Sequence, residues 1–168
     1  MFGINIFDKT KMPIDWVMIY YGIKNNFLNI DVAQEFACRK LECDESLSEE
    51  EQELLWKAND RLEVLELIAK ILNKGKNIEE SLEKAKDKVR VAIIIYLRET
   101  EKNEARLLEK IAMIYADFDY PKDMESFISY MPIDYKFVAT NSIAEDSRNY
   151  LLSNLDNFIQ VQQKKYHL

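Results

Sequence analysis

Apolar residues recur along most of this chain at alternating three- and four-residue spacing, the period of an amphipathic helix rather than of a half-buried strand. Ile14, Val17, Met18 and Tyr21 form the first stripe, and Pro13, tolerated in an opening turn, puts the start of that helix near Met12. Gly22 and Asn25-Asn26 weaken it. Asn29 has the chemistry of an N-cap for a second helix, with Ile30, Ala33, Ala37 and Leu41 on its inner face and Phe36 alongside. Leu55, Ala58, Leu62, Leu65, Ala69 and Leu72 then describe one long third helix from about Glu49 to Asn73, stopped by Gly75. Asn77 and Glu80 open a fourth, through Ile78, Leu82, Ala85, Val89, Ile93 and Tyr96. Val91 to Leu97 is apolar all round, so the end of this helix is expected at the centre of the core. A β-strand is the alternative there, and the helical lead-in argues against it.

A fifth helix begins near Asn103, with Leu107, Leu108, Ile111, Ile114, Tyr115 and Phe118 inward, and ends in Asp117-Phe118-Asp119-Tyr120-Pro121. Lys122 to Ser129 reads as a short helix capped near Asp123, and Tyr130-Met131-Pro132 interrupts it before a less regular stretch through Thr140. A last helix from about Ile143 carries Tyr150, Leu151, Leu152, Leu155, Phe158 and Ile159. The tight Lys74-Gly75-Lys76 turn makes the two long helices an antiparallel pair. The expected fold is therefore all-α: a single-domain bundle of six or seven helices organised around a long hairpin from Glu49 to Thr100, with no repeat period that calls for a solenoid.

Composition sharpens this picture in two ways. Three Gly and three Pro leave few places for hairpin turns, which favours helices over sheets, and 168 residues suit one core. Thirty acidic against 23 basic residues give a formal net charge of −7, so phosphate backbones and anionic bilayers would repel the chain. Neither nucleic acid nor a membrane is an expected partner, whereas a basic protein is. Met1 to Phe7 lacks the charged leader and cleavage site of a signal peptide, and no apolar run spans a bilayer. Cytoplasmic residence and reduced, structural thiols at Cys38 and Cys43 are the expectation, because five-residue spacing matches neither a redox pair nor a zinc site.

The most biased segment is Glu42 to Glu53, in which Glu42, Asp44, Glu45, Glu49, Glu50, Glu51 and Glu53 meet no basic residue. Ser48 and Glu51 have capping-box spacing, so its second half reads as a helix start, where the macrodipole favours carboxylates. A solvated linker is the plainer reading of such a run and a docking surface the sharper one. Asp117, Asp119 and Tyr120 form a second candidate patch, at a helix-ending turn where Asp is common for structural reasons alone. Among the aromatics Trp16, Tyr20, Tyr21, Trp56, Tyr120, Tyr130 and Tyr135, most are expected in the core, Trp16 and Tyr21 above all. Tyr120, Tyr130 and Tyr135 lie near breaks and are the better interface anchors.

Catalytic machinery is hard to assemble from this inventory. The single histidine, His167, is penultimate, which removes imidazole-based triads and histidine-ligated metals, and no glycine-rich phosphate loop exists. No catalytic residue, metal ligand or cofactor is assigned.

Pro13-Ile14-Asp15-Trp16 with Tyr20-Tyr21-Gly22, and Tyr115-Ala116-Asp117-Phe118-Asp119-Tyr120-Pro121 followed by Tyr130-Met131-Pro132, resemble an uncharacterised bacterial family, a domain of unknown function. The resemblance covers most of the chain. It implies a compact helical domain and transfers no active site, since its motifs are aromatic and structural. In class, though not in motif, small acidic proteins of this type also look like the immunity proteins of bacterial toxins. That likeness implies a protein that binds a basic toxin domain and blocks its active surface. The competing readings are an enzyme using carboxylates and a divalent metal, and a self-associating helical scaffold or regulator.

Overall fold

A computed structural model describes residues 1–56, 60–73, 78–131 and 144–168. Every regular element among them is helical: α1 (Asn5–Thr10), α2 (Trp16–Lys24), α3 (Asp31–Glu42), α4 (Glu49–Leu54), α5 (Arg61–Asn73), α6 (Ile78–Thr100), α7 (Glu104–Asp117), a 3-10 helix (Lys122–Phe127) and α8 (Ala144–Tyr166). The one β-type pairing described is an isolated bridge between Phe2 and Leu28. The chain forms two compact units, Met1–Ala92 and Ile93–Leu168, and α6 contributes to both.

In the first unit α5 packs against both α2 and α4, while α3 packs against α2 and α4. The helix starting at Trp16 rather than Met12 is set by Asp15, whose carboxylate accepts from Met18 N at 2.9 Å. Its buried face is Trp16, Met18, Ile19 and Ile23, so Tyr21 is only half-buried. Asn29 does not cap α3. Ile30 occupies that position without a side-chain bond, and Val32, Ala33 and Ala37 are the buried residues while Leu41 is exposed.

The expected continuous helix from Glu49 to Asn73 is two helices. Leu55 and Trp56 leave α4 in a turn, and Asp60 opens α5 afresh by accepting from Leu62 N at 2.7 Å and Glu63 N at 3.1 Å. The restart changes the phase: Val64, Leu67 and Ile68 are buried, and Leu62 faces solvent. Arg61 then donates to Ile23 O and Lys24 O, both at 2.9 Å, satisfying terminal carbonyls of α2. The Lys74-Gly75-Lys76 turn and the Asn77 cap lie outside the described residues.

The all-apolar run reads as expected: Val91 to Ile95 and Leu97 are buried within α6, and no strand forms there. In the second unit α7 starts at Asn103, whose side chain accepts from Arg106 N at 3.0 Å, and buries Leu107, Leu108, Ile111, Ile114 and Tyr115. The 3-10 helix packs on α8, with Phe127 and Phe158 ring centroids 5.2 Å apart and Asn154 Nδ2 donating to Ser126 O at 2.8 Å. No side chain caps this short helix, contrary to the reading of Asp123. Arg98 holds Asp156 through two hydrogen bonds of 2.7 and 3.0 Å.

Three glycines cannot stop this many helices, and other residues do it. After α2, α3 and α7 the residue in the left-handed region is Asn26 (φ 61°), Asp44 (φ 58°) and Asp119 (φ 63°). Each end carries the paired backbone bonds of a Schellman motif, for example Asp44 N to Leu41 O and Glu45 N to Lys40 O, both 3.1 Å. Asn and Asp tolerate this conformation better than other non-glycine residues.

Candidate functional site

The acidic run from Glu42 to Glu53 divides by what its neighbours require. Glu42 ends α3 exposed, Asp44 is the left-handed stop, and Glu45 lies 3.6 Å from Lys40. Ser48 caps α4 in a complete capping box, its Oγ accepting from Glu51 N at 3.3 Å while Glu51 Oε2 accepts from Ser48 N at 2.8 Å. That geometry turns Glu51 inward. It is 5% exposed, and its Oε1 accepts from Trp16 Nε1 at 2.7 Å and from Lys40 Nζ at 2.6 Å. Burial pushes the Glu51 carboxyl up. The bonds from Lys40, Ser48 and Trp16, with the lysine charge, outweigh that and hold it below the ordinary carboxylate range. Glu51 thus joins α2, α3 and α4 and is withdrawn from the surface, unlike the other members of the run. Glu49 and Glu53 face solvent and Glu50 is half-buried.

Beyond Glu53 the face continues in a way the chain order conceals. Glu53 of α4 and Glu63, Glu66, Leu67 and Lys70 of α5 line a groove of about 160 Å³. Trp56, expected in the core, is 83% exposed at the end of α4, and Leu62 and Leu41 are also exposed. Gln34 Nε2 fixes the end of α4 by donating to Leu55 O at 2.7 Å.

The second patch forms where α7 ends. Asp117 is the last helical residue, Asp119 the left-handed stop and Tyr120 (φ 55°) a second left-handed residue. Asp119 N donates to Ala116 O at 3.2 Å and Tyr120 N to Tyr115 O at 2.9 Å. The apolar contact typical of this motif is the edge of one tyrosine on another: Tyr115 and Tyr120 centroids lie 5.3 Å apart at 82°. Tyr130 comes within 6.3 Å of Tyr115. Burial raises the Tyr115 phenol, reinforced by the Glu125 charge and by Tyr130 and Tyr120. Tyr135 lies outside the described residues. If Asp119 is a backbone stop, Asp119→Gly should hold or raise stability by up to about 0.5 kcal/mol and Asp119→Val should lower it by about 1–2 kcal/mol. Equal melting temperatures for all three proteins in thermal unfolding would remove that role.

Among the described residues no group of three or more His, Cys, Asp and Glu side chains is assembled to hold a metal ion. Cys38 is half-buried and Cys43 exposed, both free. Among the described residues no helix is long and apolar enough to cross a membrane.

These features define an all-helical protein whose acidic surface segments frame exposed aromatic side chains. The model of a family described as an uncharacterized protein conserved in bacteria (DUF2247) matches residues 4–163, and the chain belongs to that family. No curated protein and no solved structure matches it.

Proposed function

We propose that the chain is a cytoplasmic protein-binding module, an immunity protein that covers the active surface of a basic toxin domain. The observation that carries this reading is Trp56: a tryptophan 83% exposed, directly after α4, the helix that carries the exposed Glu49 and Glu53 and whose Glu53 shares a groove with Glu63, Glu66 and Lys70 of α5. Tryptophan is among the residues that dominate interface energetics, and a rim of carboxylates supplies steering toward a positively charged partner. Glu42, Asp44, Glu45, Glu49, Glu50 and Glu53 form the rim in this reading, and Asp117, Asp119 and Tyr120 a second contact. Glu51 serves by shaping the face from inside.

The test is capture from the host's own lysate at low and moderate salt, with mass spectrometry of what is retained. The native protein is expected to retain a toxin domain, more weakly at higher salt. Trp56→Ala should cost about 2 kcal/mol, a roughly 30-fold loss of affinity, and joint Glu49→Lys and Glu53→Lys should slow association. Retention of the same partner by both variants at unchanged affinity would sink the proposed face.

A further inference from the structure

The end of α7 presents two exposed tyrosine rings on one buried ring. Tyr120 is 60% and Tyr130 59% exposed, and both rest on Tyr115, whose side chain is interior. The backbone holds them in place: Schellman bonds and Pro121 fix Tyr120, and Met131 N donates to Ile128 O at 3.1 Å behind Tyr130. Buried Met124, Phe127 and Ile128 anchor the chain between them. Exposed rings so placed offer electron-rich faces to a ligand with little ordering left to do.

Charge selects the ligand. Between Tyr115 and Met131 the chain carries Asp117, Asp119, Asp123 and Glu125 against the single base Lys122. Elsewhere the protein covers tyrosine faces with its own cations: Lys24 Nζ lies 5.5 Å from the Tyr20 centroid and Lys165 Nζ 4.9 Å from that of Tyr166. Among the described residues no cation lies over Tyr120 or Tyr130.

We propose that Tyr120 and Tyr130, seated on Tyr115 within this acidic segment, receive a cationic side chain, arginine or lysine, from a protein partner. This rests on the reading of the chain as a protein-binding module and adds the chemistry of one contact. The guanidinium or ammonium stacks on the ring faces while Asp117 and Glu125 of this acidic segment contribute negative field.

The experiment is an aromatic carbon–proton NMR titration of the full chain with blocked Gly-Arg-Gly, Gly-Lys-Gly and Gly-citrulline-Gly peptides. Saturable shifts of the Tyr120 and Tyr130 ring signals are expected with arginine or lysine, and about 5-fold weaker binding with neutral citrulline. Tyr120→Phe, which keeps the ring, should bind within about 2-fold of native, whereas Tyr120→Leu and Tyr130→Leu should each lose about 5-fold. The Tyr115 ring signal reports that each variant remains folded. Equal binding of citrulline, retention by the leucine variants, or no saturable shift would each overturn the proposal. The readout is local to these rings, so it is independent of whether charge reversal at Glu49 and Glu53 abolishes capture.

Discussion

Glu51→Ala is expected to lower stability by about 3 kcal/mol, which for a chain of this size is a fall in melting temperature of roughly 6–12 °C. The loss is large because one 5% exposed carboxylate satisfies three donors on three elements: Trp16 Nε1, Lys40 Nζ and Ser48 N. Truncation leaves an indole N–H and a lysine charge without an acceptor, and opens the capping box of α4. Glu51→Gln keeps one acceptor oxygen, for Trp16, while its NH2 replaces the oxygen that faces Ser48 N, so it loses the ion pair and the capping-box bond but should still cost less than truncation. The pH dependence separates the two roles. Because the folded-state pKa is depressed, the ionic contribution is present above the ordinary glutamate value of about 4.3 and is lost as pH falls through the folded pKa. The stability gap between native protein and Glu51→Gln should therefore be widest near neutrality and narrow on acidification. A gap that stays constant from neutral pH to well below pH 4 would show that the charge contributes nothing.

Gly22→Ala is the second large effect, at about 2 kcal/mol lost. A methyl at Gly22 would fall well inside van der Waals contact of Leu28 Cγ and Cδ1. Leu28 is buried and its backbone is tied down: Gly22 O accepts from Phe27 N at 2.8 Å and from Leu28 N at 3.0 Å. Phe2 bridges the same loop, taking Asn29 N and donating to Phe27 O. Helix propensity favours alanine by about 1 kcal/mol, so the clash must exceed that to give the stated loss. In a Leu28→Ala background the Cγ and Cδ1 overlap is gone and only a tight 3.2 Å contact with Cβ remains, so the same substitution should cost much less, a coupling that a double-mutant cycle in urea reads directly. Additive effects would show that Gly22 is not a packing glycine.

What the sequence revealed depended on whether one element's pattern ran unbroken. The inner face of α7 and its Asn103 cap were legible because fourteen residues keep one phase from cap to stop. The Val91 to Leu97 segment was legible because an all-round apolar run has only one destination. The helix after Glu49 was misread: Asp60 restarts it, and a period fitted across a restart assigns Leu62 to the core, while Trp56 was expected inside only as one of the aromatics. Six-residue α1 escaped notice because so short a helix completes too few turns to show a period. The capping box was visible as spacing, yet spacing could not say that Glu51 would also meet Trp16 and Lys40 from other helices. The groove residues Glu63 and Glu66 carried no sequence signal, since ordinary exposed glutamates on a helix look the same.

Helix ends also decide how the two acidic patches differ. Backbone carbonyls left over at a helix C-terminus place roughly half a negative charge there, and Glu42 with Asp44 and Asp117 with Asp119 add carboxylates to that end of α3 and α7. In α3 the last turn contains Arg39 and Lys40, which offset the accumulated potential locally. The last turn of α7 contains no basic residue. The negative field beneath Tyr120 is therefore part carboxylate and part fixed dipole. Protonating or neutralising the aspartates weakens it without abolishing it, and an approaching cation is drawn along the axis of α7 as well as toward its side chains.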